Sequence, residues 1–146
     1  MTATLPPALE QTRDDFQSLS GNDRIQLLLE FAGDLPELPE KYRDHPELLE
    51  RVVECQSPVY IFVEVDDQNI VHVFATAPEQ APTTRGFASI LVNGLSGLTA
   101  SDVLALTDDF PNMLGLAKVL SLLRLRGMSG MLARIKRQVS QKQREN

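Results

Sequence analysis

Apolar and polar positions along this chain change period twice, and the changes mark out its elements. After Pro6-Pro7, a pair suited to the first turn of a helix, Leu9, Phe16 and Leu19 recur with weak helical spacing over residues 8–19. Ile25, Leu28, Leu29 and Ala32 then fall at i, i+3, i+4 and i+7. That spacing predicts an amphipathic helix over residues 23–32, ended by Gly33 as a C′ glycine. Three prolines and several charges make residues 35–46 an extended surface loop, with a brief helical turn expected within residues 47–53.

The period then shortens to two. Val59, Ile61, Val63 and Val65 point one way, and Tyr60, Phe62 and Glu64 the other. A turn at Asp66-Asp67-Gln68-Asn69 leads into a second strand over residues 70–75, with Val65 opposite Ile70, Val63 opposite His72 and Ile61 opposite Phe74. Both faces are apolar near the Cys55 end, so helices are expected to cover one fully and the other in part. Beyond Pro78 and Pro82 the helical period returns. Residues 85–95 are apolar on most sides and read as a central helix. Thr99-Ala100-Ser101-Asp102 resembles a capping box and opens a short helix through Leu106. Two more helices, 113–125 and 128–139, are expected to meet at Gly127 and Gly130. Helices, a hairpin and more helices predict an α+β fold, with a small antiparallel sheet covered by helices and room for a third strand.

The chain has 146 residues, 42% hydrophobic and 23% charged, which suits one folded domain over residues 1–146. Residues 1–7 and 141–146 are expected to fray. No apolar run approaches the roughly 18–20 residues of a membrane span, and the N-terminus lacks the basic and apolar regions of a secretory signal. A single cysteine without a pairing partner suits a reducing compartment, so the expected location is the cytoplasm.

The net charge of −6 hides a split. Up to Gly115 there are 19 acidic and six basic side chains; from Leu116 onward one acid, Glu145, stands against eight bases. Either a basic helix is balanced by an acidic body, or it offers a docking surface to an acidic partner. Net acidity, few aromatics and no recognised motif argue against a nucleic-acid binder.

Cys55 is the sole cysteine, at the start of Cys55-Gln56-Ser57-Pro58 and just before the most apolar strand. One thiol cannot form an internal disulfide, and it cannot alone furnish the several thiolates of a zinc or iron–sulfur site. His45 and His72 are too scattered to complete a metal site, and no phosphate-binding glycine loop is present. No resident metal or cofactor is therefore expected. Glu54 beside Cys55 raises the thiol pKa, so this is not the setting of a self-activated protease nucleophile. His72 reads as a structural or rim histidine and His45 as a solvated one. Pro58 pushes Ser57 toward extended geometry, which sets Cys55 on a loop at the edge of a strand. Such a loop can present sulfur to another protein and then withdraw it.

These residues resemble the SufE family of sulfur acceptors in iron–sulfur cluster assembly. The resemblance runs from about Ser20 to Lys136. It includes Leu35-Pro36-Glu37-Leu38, Cys55-Gln56-Ser57 with its apolar strand, Arg85-Gly86-Phe87-Ala88 and Thr99-Ala100-Ser101-Asp102-Val103. It ends with Leu120-Ser121, Arg124 three residues before Gly127, and Met131 four before Ile135. The chain departs from the family at Glu54, where Gly is common, and at Leu123, where Ser is common.

The resemblance implies a SufE/IscU-like fold and a sulfur carrier without its own cofactor. Cys55 would take persulfide sulfur from a pyridoxal-phosphate cysteine desulfurase of the SufS type. It would then pass that sulfur to an iron–sulfur scaffold or another acceptor. Gln56, Ser57, Arg124 and Arg85 would support the cysteine loop or engage the partner, with no role for nucleic acid or membrane. A second reading is a non-catalytic adaptor that binds and stimulates the desulfurase while Cys55 stays inert. A third, a cluster scaffold, is opposed by the single cysteine.

Overall fold

The computed structural model describes residues 5–145. In chain order the elements are α1 (Pro7–Gln17), α2 (Asn22–Gly33), α3 (Glu40–Arg43), β1 (Glu50–Arg51), β2 (Tyr60–Val65), β3 (Val71–Thr76), α4 (Pro82–Leu95), α5 (Ala100–Ala105) and α6 (Leu122–Glu145). Short 3-10 turns occupy Pro46–Leu48, Phe110–Leu114 and Leu116–Lys118. The sheet is antiparallel in the order β1-β2-β3, so the α+β arrangement holds and the third strand is present.

One face of the sheet carries Ile61, Val63, Val71, Val73 and Ala75, each no more than 3% exposed. It packs beneath α4 and α6, whose Phe87, Ile90, Leu91, Leu95, Met128, Leu132, Ile135 and Val139 join the same core. Burying each large side chain contributes about 1.5–3 kcal/mol, so this sandwich is the main source of stability. The opposite face is covered more lightly. Tyr42 lies 4.7 Å from Phe62 and 5.0 Å from Phe74, centroid to centroid. Residues 35–46 are therefore not an open loop throughout, because Pro39 leads into α3 and Tyr42 is only 5% exposed.

The hairpin register differs by one residue from the sequence expectation. Val65 pairs with Val71, Glu64 with His72, Val63 with Val73 and Ile61 with Ala75. Asn69, in the left-handed region at φ 65°, closes a tight turn by donating to the Asp66 carbonyl at 2.9 Å, while the Asp66 N–H donates to the Ile70 carbonyl. The loop is thus a type I turn plus a left-handed residue, one longer than a four-residue reversal. A slip of one residue exchanges the faces. His72 accordingly lies opposite Glu64, away from Ile61 and Val63, and pairs with Asp66 at 3.0 Å.

β1 is only two residues long, so β2 runs past its partner. The Val63 N–H is taken up by Gln138 Oε1 at 2.9 Å, and the Val63 carbonyl accepts from Lys142 Nζ. Two residues of α6 one turn apart thereby stand in for a missing strand and close an edge that would otherwise invite pairing.

Thr99 caps α5 as expected, its hydroxyl accepting from the Asp102 N–H at 3.1 Å. Three expectations give way. Gly33 lies inside the last turn of α2, with Asp34 as the cap. The two expected C-terminal helices are 3-10 turns followed by one helix of 24 residues, in which Gly127 and Gly130 are interior positions. Residues expected to fray include Pro7, which starts α1, and 141–145, which continue α6; residues 1–4 and 146 lie outside the described residues.

Candidate functional site

Cys55 occupies the tip of the β1–β2 connection, residues 52–59. Val52 and Val59, both fully buried, fix the two legs, and the Val52 N–H donates to the Val59 carbonyl at 2.9 Å. The Cys55 N–H returns to the Val52 carbonyl at 3.1 Å, which turns the thiol inward until the residue is 6% exposed. The loop lies flat on α6, and the two interior glycines make that approach possible. A Cβ on Gly127 would lie 2.9 Å from Cys55 Sγ, and one on Gly130 would lie 2.7 Å from the Glu54 carboxyl carbon. Arg134 follows on the same helical face. Its Nη1 meets Glu54 Oε1 at 2.5 Å, and its Nε lies 3.4 Å from Glu50 Oε2. Arg137 and Gln138 also hold Glu50, the latter at 2.8 Å.

These contacts set the local electrostatics. Burial pushes the Cys55 thiol up to about 11, the Glu54 charge adds to the rise, and Arg134 partly offsets it. The sulfur is therefore a neutral thiol at neutral pH. The hydrogen bond from Arg134 holds the Glu54 carboxyl below the usual range, against some burial. Burial works against ionised Glu50, yet Arg137, Gln138 and Arg134 together keep its pKa low.

A cleft of about 350 Å³ adjoins the sulfur. Cys55, Gln56 and Ser57 form one wall, and Leu123, Arg124 and Gly127 of α6 form another. Pro82, Thr83, Thr84 and Phe87 of α4 complete it. The first turn of α4 has no side-chain cap, so the positive end of a helix dipole borders the cleft. Val53 and Leu122, each 70% exposed, belong to the two segments that frame this opening. A thiol so placed can exchange at sulfur once it is exposed and ionised. Among the described residues neither histidine stands beside it as a base: His45 pairs with Glu47 and His72 with Asp66, both outside the cleft. Among the described residues no group of three or more His, Cys, Asp or Glu is gathered where a metal could bind. No helix among them is long and apolar enough to cross a membrane.

Four of the five residues singled out from sequence come together here: Cys55, Gln56, Ser57 and Arg124. Arg85 does not. Its Nη1 donates to the Ala77 carbonyl at 2.7 Å, and it lines a different cleft with Leu35 and Glu79. Sequence reasoning missed Arg134 and the α4 wall. The spacing of Gly127, Gly130 and Arg134 at i, i+3 and i+7 was the available signal, since it puts two side-chain-free positions and a cation on one helical face.

Residues 10–139 match the model of SufE, the Fe-S metabolism associated domain. An uncharacterised SufE-like protein of Mycobacterium tuberculosis is 50% identical over 137 residues, covering 94% of each chain. The cysteine desulfuration protein SufE of Plasmodium falciparum is 28% identical, over 90% of this chain and 53% of its own. The solution structure of a hypothetical protein from Thermus thermophilus superposes with a TM-score of 0.83 at 35% identity, covering 96% of this chain and 98% of its own.

Proposed function

The chain belongs to the SufE family, and on that premise we propose that it is a sulfur carrier working through Cys55. The supporting observation is the only thiol of the chain at a loop tip, turned inward beside a cleft large enough for added sulfur. The donor is a cysteine desulfurase carrying a persulfide. The Cys55 thiolate attacks the terminal sulfur, a new S–S bond forms to Cys55, the donor's S–S bond breaks, and the donor cysteine leaves as a thiolate. The proton lost by Cys55 goes to solvent or to that leaving thiolate. A second exchange passes the sulfur to a scaffold or another acceptor in iron–sulfur metabolism.

Burial makes the resting thiol a poor nucleophile, because only the thiolate attacks. The loop must therefore carry Cys55 off α6 when the donor docks. Arg124 and the half-exposed Leu123 on the cleft wall provide a mixed cationic and apolar rim for that docking.

A buried, protonated thiol is also what a purely stimulating adaptor would carry, and Cys55→Ser separates the two readings. Intact mass after incubation with a desulfurase and cysteine is expected to show one added sulfur on the native chain and none on the variant. A native chain that gains no sulfur, with a variant that stimulates the desulfurase as fully as it does, would assign the adaptor role instead.

A further inference from the structure

The cysteine loop is held by very few bonds, and one of them stands apart. Among the described residues, the only side-chain hydrogen bond or ion pair between residues 52–59 and the rest of the protein is Glu54 with Arg134. Arg134 is only 16% exposed and joins two elements, Glu50 at the start of β1 and Glu54 next to the thiol in the connection that follows. Its Nε is buried without a hydrogen bond, so the guanidinium depends on these carboxylates for its charge balance. Gly130 beneath Glu54 leaves space for the carboxylate to lie against the helix.

We infer that Glu54 and Arg134 are positioning residues forming a latch, which holds the cysteine loop on α6 and keeps Cys55 withdrawn until a docking partner separates them. The inference rests on the sulfur-carrier reading for its purpose but not for its test. Glu50 keeps Arg137 and Gln138 when the latch opens, so the base of the loop stays anchored while the tip swings. Glu54 then faces the partner with its charge unpaired, which favours a partner surface bearing a cation at that point.

Two effects of the pair must be told apart, and they differ in sign. As a charge, Glu54 disfavours the thiolate and Arg134 favours it. As a latch, both hold the sulfur in. Glu54→Gln is expected to speed alkylation of Cys55 by iodoacetamide on either account. Arg134→Gln is expected to speed it as well if the pair is a latch, and to slow it if the pair acts only through charge. Each increase should be roughly three- to tenfold, the weight of a partly buried ion pair. Raising salt should speed alkylation of the native chain and have little effect on Glu54→Gln.

Because loss of Arg134 could disturb the fold, amide hydrogen exchange of residues 53–57 is measured on Glu54→Gln as well. Faster exchange there, with α4 and β3 unchanged, supports the latch. Unchanged exchange, or slower alkylation of a folded Arg134→Gln, overturns it. None of these measurements uses a sulfur donor, so a chain that fails to accept sulfur can still show the latch, and the reverse.

Discussion

At the scale of the residue, Cys55 combines low exposure with a thiol pKa of about 11, and both follow from its seat on α6. Its alkylation rate should keep climbing with pH through 9 toward 11, where a free thiol would already have levelled off near its ordinary value. The linkage has a definite sign. A folded pKa above the unfolded one means that the closed thiol stabilises the fold fully below about pH 9 and loses that contribution as pH rises toward 11. Paired denaturation curves of the native chain and Cys55→Ala should show the difference shrinking across that window.

Gly127→Ala offers a complementary probe. Alanine improves helix propensity by roughly 1 kcal/mol, but its methyl meets the sulfur at 2.9 Å. The thiol must shift, so alkylation should rise on the order of tenfold, in line with the cost of overpacking. An unchanged rate would show that the seat is not tight.

At the scale of the element, α6 performs three tasks along its 24 residues: cleft wall at Leu123 and Arg124, loop bed at Gly127 and Gly130, and strand substitute at Gln138 and Lys142. Gln138→Ala would strand the buried Val63 N–H, so urea denaturation should show a loss of about 1–3 kcal/mol.

Much of the element pattern was legible beforehand. The apolar alternation of β2, the capping of α5 by Thr99 and the helical spacing of α2 are local signals. Gly127 and Gly130 illustrate what was not. Locally a helical glycine looks like a break; only the arrival of residues 54 and 55 from far along the chain explains why side chains are absent there. The register of β3 failed for a similar reason, since a left-handed Asn69 lengthens the turn without changing the hydrophobic pattern.

At the scale of the whole molecule, the charge split resolves in part into internal pairing. Arg134, Arg137 and Lys136 of the basic helix meet Glu54, Glu50 and Asp108 of the acidic body. The family-like residues divide likewise. Arg124 lines the cleft, whereas Arg85 ties α4 to the Ala77 carbonyl. Arg124→Ala is therefore expected to weaken desulfurase binding and lower sulfur uptake about tenfold, the order of one lost charged contact, without altering the melting temperature. Arg85→Ala should lower stability by roughly 1 kcal/mol and leave uptake intact. Titration of each variant with the desulfurase, beside a thermal melt, checks both.

The claim on which the functional account depends is that sulfur arrives on one atom. After incubation with desulfurase and cysteine and trapping by alkylation, cleavage at Arg51 and Arg85 releases residues 52–85 as one peptide containing the sole cysteine. Mass spectrometry of that peptide should show an additional sulfur retained under the alkyl group. Its absence, in a chain that demonstrably binds the desulfurase, would contradict the account.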